Sequence, residues 1–561
     1  MDNQKNLLLA VVFSLVILIG FDFFFAPQKN GSNKVQLDEN ISEETLDKNT
    51  PSIDTSLVKK SNETKTSEKR IKFKANRIEG SINLFGATID DIVLSDYFQT
   101  IEKKNKVHVL HKESSDSPYF LRMGWASTDK SIELPNKNSL WKAYKENFNN
   151  EKIKLEWSNN KGLKIIREIS FDENFMITIT DEVINGTSGT IDLTNFSYLR
   201  RKNYEPENKF FILHEGPLGV FNDTLKEVSY DELQENKEIV ESTKNGWIGY
   251  TDHYWQVAIF PDTNESFKAR FKTLNNRRNS IQIDFINDNV KSVDPNQSLV
   301  TKSYVFAGAK EVPLIDNYIK KLKVNKLDLS VDFGWFYFLT KPLFYALNFL
   351  STKFQNFGIG IIILTIFIRI ILFPLANKSF KSMNSMRILT PEIQRVRERY
   401  KDDRQKMNQE MFALYREKKI NPAAGCLPIL IQIPIFFALY KVLFVSIEMR
   451  HAPFFGWIKD LSAPDPTSLF NLFGLIPWDP PLFLTIGIWP LLMGLTMFLQ
   501  QKINPPPPDP IQAKIFMMLP FIFTFLLATF PSGMVVYWTV NNVLSIGQQY
   551  ILLKKQKKNN L

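Results

Sequence analysis

Residues 361–373, Ile-Ile-Ile-Leu-Thr-Ile-Phe-Ile-Arg-Ile-Ile-Leu-Phe, are apolar at every position except Thr365 and Arg369, and this run decides the class of the chain. Thirteen Leu, Ile and Phe residues lie between positions 359 and 375. At about −0.5 kcal/mol each they supply roughly −6 kcal/mol of insertion free energy, against about 2.5–3.5 kcal/mol for an arginine near mid-span. The segment therefore enters a bilayer with its charge in place. Arginine does not deprotonate in a protein, so its surroundings must hydrate or neutralise it.

The span built on this run covers about 357–376, comparable apolar runs follow at about 427–447, 482–500, 515–530 and 533–552, and an earlier one occupies 7–25. Roughly 20 residues cross a hydrocarbon core about 30 Å thick. The chain thus reads as a polytopic α-helical membrane protein with six spans, several short enough to demand tilt or local thinning. For residues 7–25 a cleaved signal peptide is the rival reading, but Ala26-Pro27-Gln28 is a poor cleavage site. An uncleaved anchor over residues 1–26 is preferred.

Charge sets the orientation. Residues 377–425 carry twelve Lys and Arg against six Asp and Glu, whereas 448–480 carry two basic residues and four acidic ones. A basic tail, 554–561, contains Lys554, Lys555, Lys557 and Lys558. Positive charge stays inside, so both ends are expected in the cytoplasm and the large polar region outside the membrane.

Residues 27–70 are rich in Asn, Ser, Thr, Lys and Glu and read as a flexible linker. Beyond it, Phe175-Met-Ile-Thr-Ile-Thr180 and Ser280-Ile-Gln-Ile-Asp-Phe285 alternate with the period of half-buried strands. Residues 71–325 are accordingly expected to form a large all-β, sandwich-like domain closed by a short helix near 313–322. Residues 326–356 read as an interfacial amphipathic helix, because Lys341-Pro342 and Asn348 interrupt the run before it can span.

Within 377–425, Met386, Leu389, Ile393, Val396 and Tyr400 recur at spacings of 3, 4, 3 and 4, and Met407, Met411 and Leu414 continue at 4 and 3. This is the seam of a helical hairpin turning near Lys401-Asp402-Asp403. Thr390-Pro391-Glu392 has the form of an internal N-cap, which predicts a break or kink there.

The net charge of +10 and the single cysteine, Cys426, exclude little by themselves. The basic residues cluster beside apolar spans, so membrane topology explains them better than recognition of a nucleic acid sequence. One cysteine excludes an intramolecular disulfide and any paired-cysteine metal site. No P-loop and no convincing pairing of histidine with carboxylate is present, so neither a cofactor, a metal nor catalysis is expected.

Spans two to six hold no Asp or Glu inside their apolar runs. Counted inward from the cytoplasmic end, Arg369 lies about seven residues deep, or ~10 Å, and Gln432 about six. Thr365, Thr496, Thr524, Asn541, Asn542 and Ser545 add uncharged polar groups. Together they predict a hydrophilic pocket open to the cytoplasm and closed to the outside. Two alternatives stand beside it: Arg369 as a snorkelling anchor, and the polar groups of the last span as helix–helix hydrogen bonds.

At these residues the chain resembles the YidC membrane protein insertases. The resemblance is carried by Leu327–Phe344, by Arg369–Pro374 with Met383, Met386 and Leu389-Thr-Pro-Glu-Ile393, and by Asn421–Pro428, Ile431–Phe436 and Phe530-Pro-Ser-Gly533. It implies a periplasmic β-supersandwich and a five-helix insertase core in an inner membrane. It also implies a groove around Arg369, holding Trp538 among its residues, that receives the polar part of a nascent membrane protein. The implied partners are those substrates, the lipid bilayer, the ribosome and Sec translocon components. Trp538 departs from the Tyr that often follows the residue matching Tyr537, and Asn471–Pro480 looks like an insertion.

Two other functions compete. A secondary transporter of an anionic solute would also use a buried arginine, but no inverted repeat and no intramembrane Asp, Glu or His supports it. A membrane-tethered enzyme would use the β-domain, whose expected fold resembles sugar mutarotases, but fold alone does not establish chemistry.

Overall fold

The computed structural model describes residues 69–561 except 145–151, 205–212, 263–264, 275–276, 325, 335, 402, 419–426, 479, 482–484, 504–509 and 560–561. The expected anchor at 1–26 and nearly all of the expected linker at 27–70 lie outside the described residues.

Residues 70–309 form two antiparallel sheets, one of ten strands and one of nine. In the nine-stranded sheet, Leu163–Phe171 pairs with Met176–Asn185, which pairs in turn with Ser298–Ala309. Along Leu163–Phe171 the odd-numbered positions are buried and the even ones half-exposed, the period of a sheet with one covered face. That period places Arg167 in the apolar layer with Leu163, Ile165 and Ile169. The strand register sets it opposite Asp181, and the two make a bidentate pair at 2.7 Å.

Helix α1 (Tyr230–Asn236) lies within the β-domain, and α2 (Val312–Leu322) follows its last strand. The chain then forms α3 (Tyr337–Phe354), α4 (Phe357–Arg399), α5 (Arg404–Glu417), α6 (Leu427–Val445), α7 (Ile488–Ile503), α8 (Pro510–Leu527) and α9 (Ser532–Asn559). Helix α3 packs on α4 and α6, while α9 packs on α4 and α7. The β-domain meets this bundle directly: His253 Nε2 donates to the carbonyl of Phe444 at 2.9 Å, and Arg450 Nη2 donates to the carbonyl of Gln99 at 3.1 Å.

Helix α4 corrects one expectation. It continues from the apolar run into the basic segment as one helix that includes Pro374 and Pro391. Thr390 is not an N-cap; its hydroxyl bonds back to the carbonyl of Met386 at 3.1 Å, as an interior threonine does. The seam residues Leu389 and Ile393 are buried, Asp403 caps α5 by accepting from Lys406 N at 3.0 Å, and Lys418 reaches Glu392 across the hairpin at 3.8 Å.

The expected span at 482–500 also begins late. Helix α7 starts at Ile488, where Thr467 Oγ1 and Asp465 take the amides of Ile488 and Trp489 at 3.0 and 2.9 Å and hold residues 485–487 out of the helix. Among the described residues, only Phe357–Ser382 is both long and apolar enough to cross a membrane by itself; Gln432–Val445 and Ala513–Leu527 are shorter apolar helices.

Candidate functional site

Helix α4 has two distinct sides. Ile366, Phe367, Ile370, Ile371 and Phe373 are 39–64% exposed, whereas Ile361, Leu364, Thr365, Ala376 and Ser379 are buried. Arg369 follows Thr365 by one turn, so it belongs to the inward stripe. Its guanidinium is directed at α9, where Nε donates to Asn541 Oδ1 at 2.8 Å and Nη2 to the Asn541 carbonyl at 3.3 Å. Among the described residues it forms no ion pair with a carboxylate.

Three contacts show how α4 and α9 are aligned. Arg369 bonds Asn541, Gln548 Nε2 donates to Asn377 Oδ1 at 3.1 Å, and a Cβ at Gly533 would sit 3.4 Å from Ile361 Cδ1. The offsets, 541−369, 548−377 and 533−361, are 172, 171 and 172. A constant offset means parallel helices in register, so α4 and α9 run in the same direction. Glycine at 533 makes room for Met449, whose Cε would lie 2.6 Å from a Cβ there.

Along α9 the polar residues Tyr537, Asn541, Ser545 and Gln548 follow at spacings of 4, 4 and 3, which is one helical face. Ser545 is buried and bonds back to the Asn541 carbonyl at 2.8 Å. Tyr537, also buried, accepts a bond from Gln432 Nε2 of α6 at 3.2 Å. Arg369, Asn541, Tyr537 and Gln432 therefore form one polar group contributed by α4, α9 and α6.

The other expected residues lie elsewhere. Thr496 on α7 accepts from Asn542 Nδ2 at 3.4 Å and donates to the Met493 carbonyl at 2.9 Å. Thr524 on α8 bonds the Pro520 carbonyl at 2.7 Å and packs where a Cβ at Gly494 would collide with its Oγ1. Thr496 thus takes a bond from Asn542 of the last span, whereas the Thr524 hydroxyl stays within α8 and meets α7 by packing alone. Thr365 is buried beside Arg369 but spends its hydroxyl on the Ile361 carbonyl at 2.7 Å. Trp538 packs between Phe436 and Phe523, with ring centroids at 4.8 and 5.8 Å, and is an aromatic contact of α6 and α8.

Two residues escaped the sequence reading. Tyr537 looks like one more aromatic in an apolar run, and only its four-residue spacing to Asn541 signals the shared face. Lys441 lies inside the third apolar run, and its Nζ donates to Asp332 Oδ2 at 2.6 Å. A lone lysine so near the end of a span is a signal for a partner outside it. Gly334, at φ +69°, makes the turn that brings Asp332 there.

Residues 349–559 match the family described as 60Kd inner membrane protein, and residues 70–346 match the YidC periplasmic domain. The membrane protein insertase YidC of Pelagibacter ubique is 42% identical over 560 residues, covering 99% of both chains. That of Rickettsia africae is 42% identical over 561 residues, again covering 99% of both. The solved structure "Active YidC insertase crystal structure with the first transmembrane domain resolved" aligns at 18% identity and a TM-score of 0.37, covering 86% of this chain and 93% of that one. The assignment rests on the sequence matches, which run through the β-domain and the helical region alike: the chain belongs to the YidC family of membrane protein insertases.

Proposed function

We propose that this protein moves transmembrane segments of other proteins into the inner membrane by offering their polar parts a hydrophilic groove built around Arg369. The observation that carries this reading is the inward-facing Arg369, bonded to Asn541 and not to a carboxylate, beside Tyr537 and Gln432. An unneutralised cation within an apolar bundle draws water and attracts an acidic or polar segment. Such a segment then crosses less hydrocarbon, which lowers the cost of its transfer. No nucleotide hydrolysis or covalent step enters this scheme.

In this reading α4 and α6–α9 are five spans, an anchor at 7–25 is the sixth, and the groove opens to the cytoplasm. The parallel course of α4 and α9 fits that topology, since both then run from the outer to the inner face. The exposed apolar sides of α4 and α8 face lipid; Phe521, Ile522, Phe525 and Leu526 are 53–56% exposed, which in water would be a large unexplained patch. The β-domain then lies in the periplasm and both ends in the cytoplasm. The basic hairpin α4–α5 and the tail meet the ribosome or anionic lipid, and the β-domain contacts Sec translocon components. The comparisons lend no support to a solute transporter.

A photoreactive amino acid placed at Gln432, with a second variant carrying it at lipid-facing Ile370, tests the groove. Arrested nascent membrane proteins are expected to crosslink through their polar flank from Gln432 and through their apolar segment from Ile370. Polar-flank adducts from Ile370 and none from Gln432 would overturn the proposal.

A further inference from the structure

The connection between α6 and α7 has two halves of opposite character. Its first half is fastened to the helix ends: the amides of Ser532 and Gly533 donate to the carbonyls of Ala463 and Leu461 at 2.7 and 2.9 Å, and Leu469 N donates to the Ile486 carbonyl at 2.9 Å. Asp465 takes the amides of Thr467 and Trp489 at 3.0 and 2.9 Å. These bonds place residues 461–469 at the starts of α7 and α9.

The second half, Ser468-Leu-Phe-Asn-Leu-Phe-Gly-Leu-Ile-Pro-Trp478, has no charged residue. Phe470, Leu472, Phe473, Leu475, Ile476 and Trp478 are 40–83% exposed. Leu472 and Phe473 both hold left-handed backbone, at φ 49° and 59°, a conformation that costs a bulky residue on the order of 1–3 kcal/mol. Two neighbouring costs oppose this arrangement in water: left-handed backbone and exposed hydrocarbon. An apolar surrounding removes the second.

The position of the segment says which surrounding that is. Its anchor points are the first turns of α7 and α9, and α7 itself carries an outward apolar stripe of Leu492, Leu495 and Leu499, 40–54% exposed. A tryptophan at the edge of such a surface suits the headgroup layer. We propose that residues 468–478 form a wedge embedded in the outer leaflet beside α7, with lipid as its partner. This rests on the reading that α7–α9 span the membrane.

The test uses the full chain with Cys426→Ser, labelled with a polarity-sensitive fluorophore at a single new cysteine, in vesicles of neutral and anionic phospholipid. Four separate variants carry the label: Leu475→Cys; Phe473→Cys, in case the first does not fold; Ile522→Cys on α8; and Val290→Cys in the β-domain. Nitroxide-bearing lipids should quench Leu475→Cys or Phe473→Cys severalfold more than Val290→Cys, with a blue-shifted emission, and iodide should quench them less. Quenching of the loop labels by iodide alone, or by neither agent, as burial against protein would give, overturns the wedge. Ile522→Cys separates the two readings: if lipid quenches it but not the loop, the wedge fails and the spans stand; if lipid quenches neither, the spanning reading fails as well.

Discussion

Arg167 in the β-domain and Arg369 in the helical bundle are both drawn out of bulk water, yet they keep different company. Arg167 is 2% exposed, forks onto Asp181, gives a further bond to the Met123 carbonyl and lies over Trp141. Arg270 repeats the pattern with Asp284, its register partner on the next strand, and Arg70 pairs with Asp90. Arg369 has an amide side chain and a carbonyl instead. Arg167, Arg270 and Arg70 are cancelled by carboxylates where they are buried, whereas Arg369 in the bundle and Arg200 in the β-domain, held by Gln282 Oε1, are bonded to amide oxygens instead.

The sharpest way to break this contrast is to orphan a β-domain arginine. Asp181→Ala leaves Arg167 buried without its partner and strands the Trp125 indole N–H that Asp181 also accepts at 2.9 Å. Thermal or denaturant unfolding of the purified protein should show a loss of about 3–5 kcal/mol. A loss below about 1 kcal/mol would mean that the pair is no more than a surface-grade contact.

Glu448, where the β-domain meets the helices, inverts the situation, being a buried carboxyl with no arginine. Its Oε2 has no hydrogen-bond partner among the described residues, and burial, reinforced by the Glu311 carboxylate, pushes it up to about 7. The folded state therefore holds a proton that the unfolded state releases near its ordinary value of 4.5. Stability should fall as pH rises from about 4.5 to about 7 and then level, by about 3 kcal/mol in all. Glu448→Gln should remove that slope and be the more stable form at pH 8. Parallel stability–pH curves for the two proteins would refute the assignment.

A smaller effect is expected at Lys441, whose pair with Asp332 is partly exposed. Asp332→Asn should cost about 1 kcal/mol, with the helices intact by circular dichroism. A change as large as that of Asp181→Ala would place Lys441 among the buried, cancelled charges.

The two regions also differ in how much of them could be read in advance. The strand signal in Phe175–Thr180 follows from a sheet with one covered face, which requires alternation, whereas Ser280–Phe285 alternates in chemistry although all six of its residues are buried. That Arg167 faces Asp181 does not follow from either strand alone, since it depends on register. In the bundle the charge of Arg369 is conspicuous against apolar neighbours, and Gln432 and Asn541 join it in the structure. Thr496 and Thr524 carry the same polar signal but face other helices, and depth along a span does not report the direction of a side chain. The Thr390-Pro391 signal misleads because the preceding turns of α4 are already helical, so the hydroxyl finds the Met386 carbonyl before it can cap anything. Lys441 is hidden by an apolar run whose partner, Asp332, lies more than a hundred residues away.

The central claim is that the charge of Arg369 is kept unneutralised for use, and insertion of matched substrates differing only in a translocated tail tests it most directly. The tails are neutral, acidic and basic, and the proteins compared at equal abundance are the parent, Arg369→Ala and Arg369→Lys. Arg369→Ala should stay folded, within about 1 kcal/mol of the parent, because no carboxylate is orphaned, and should lose most activity on the acidic tail. Arg369→Lys should retain much of it, since a localised positive charge is required rather than a planar fork. Equal insertion of all three tails by Arg369→Ala and the parent would contradict the account and leave Arg369 as a structural anchor.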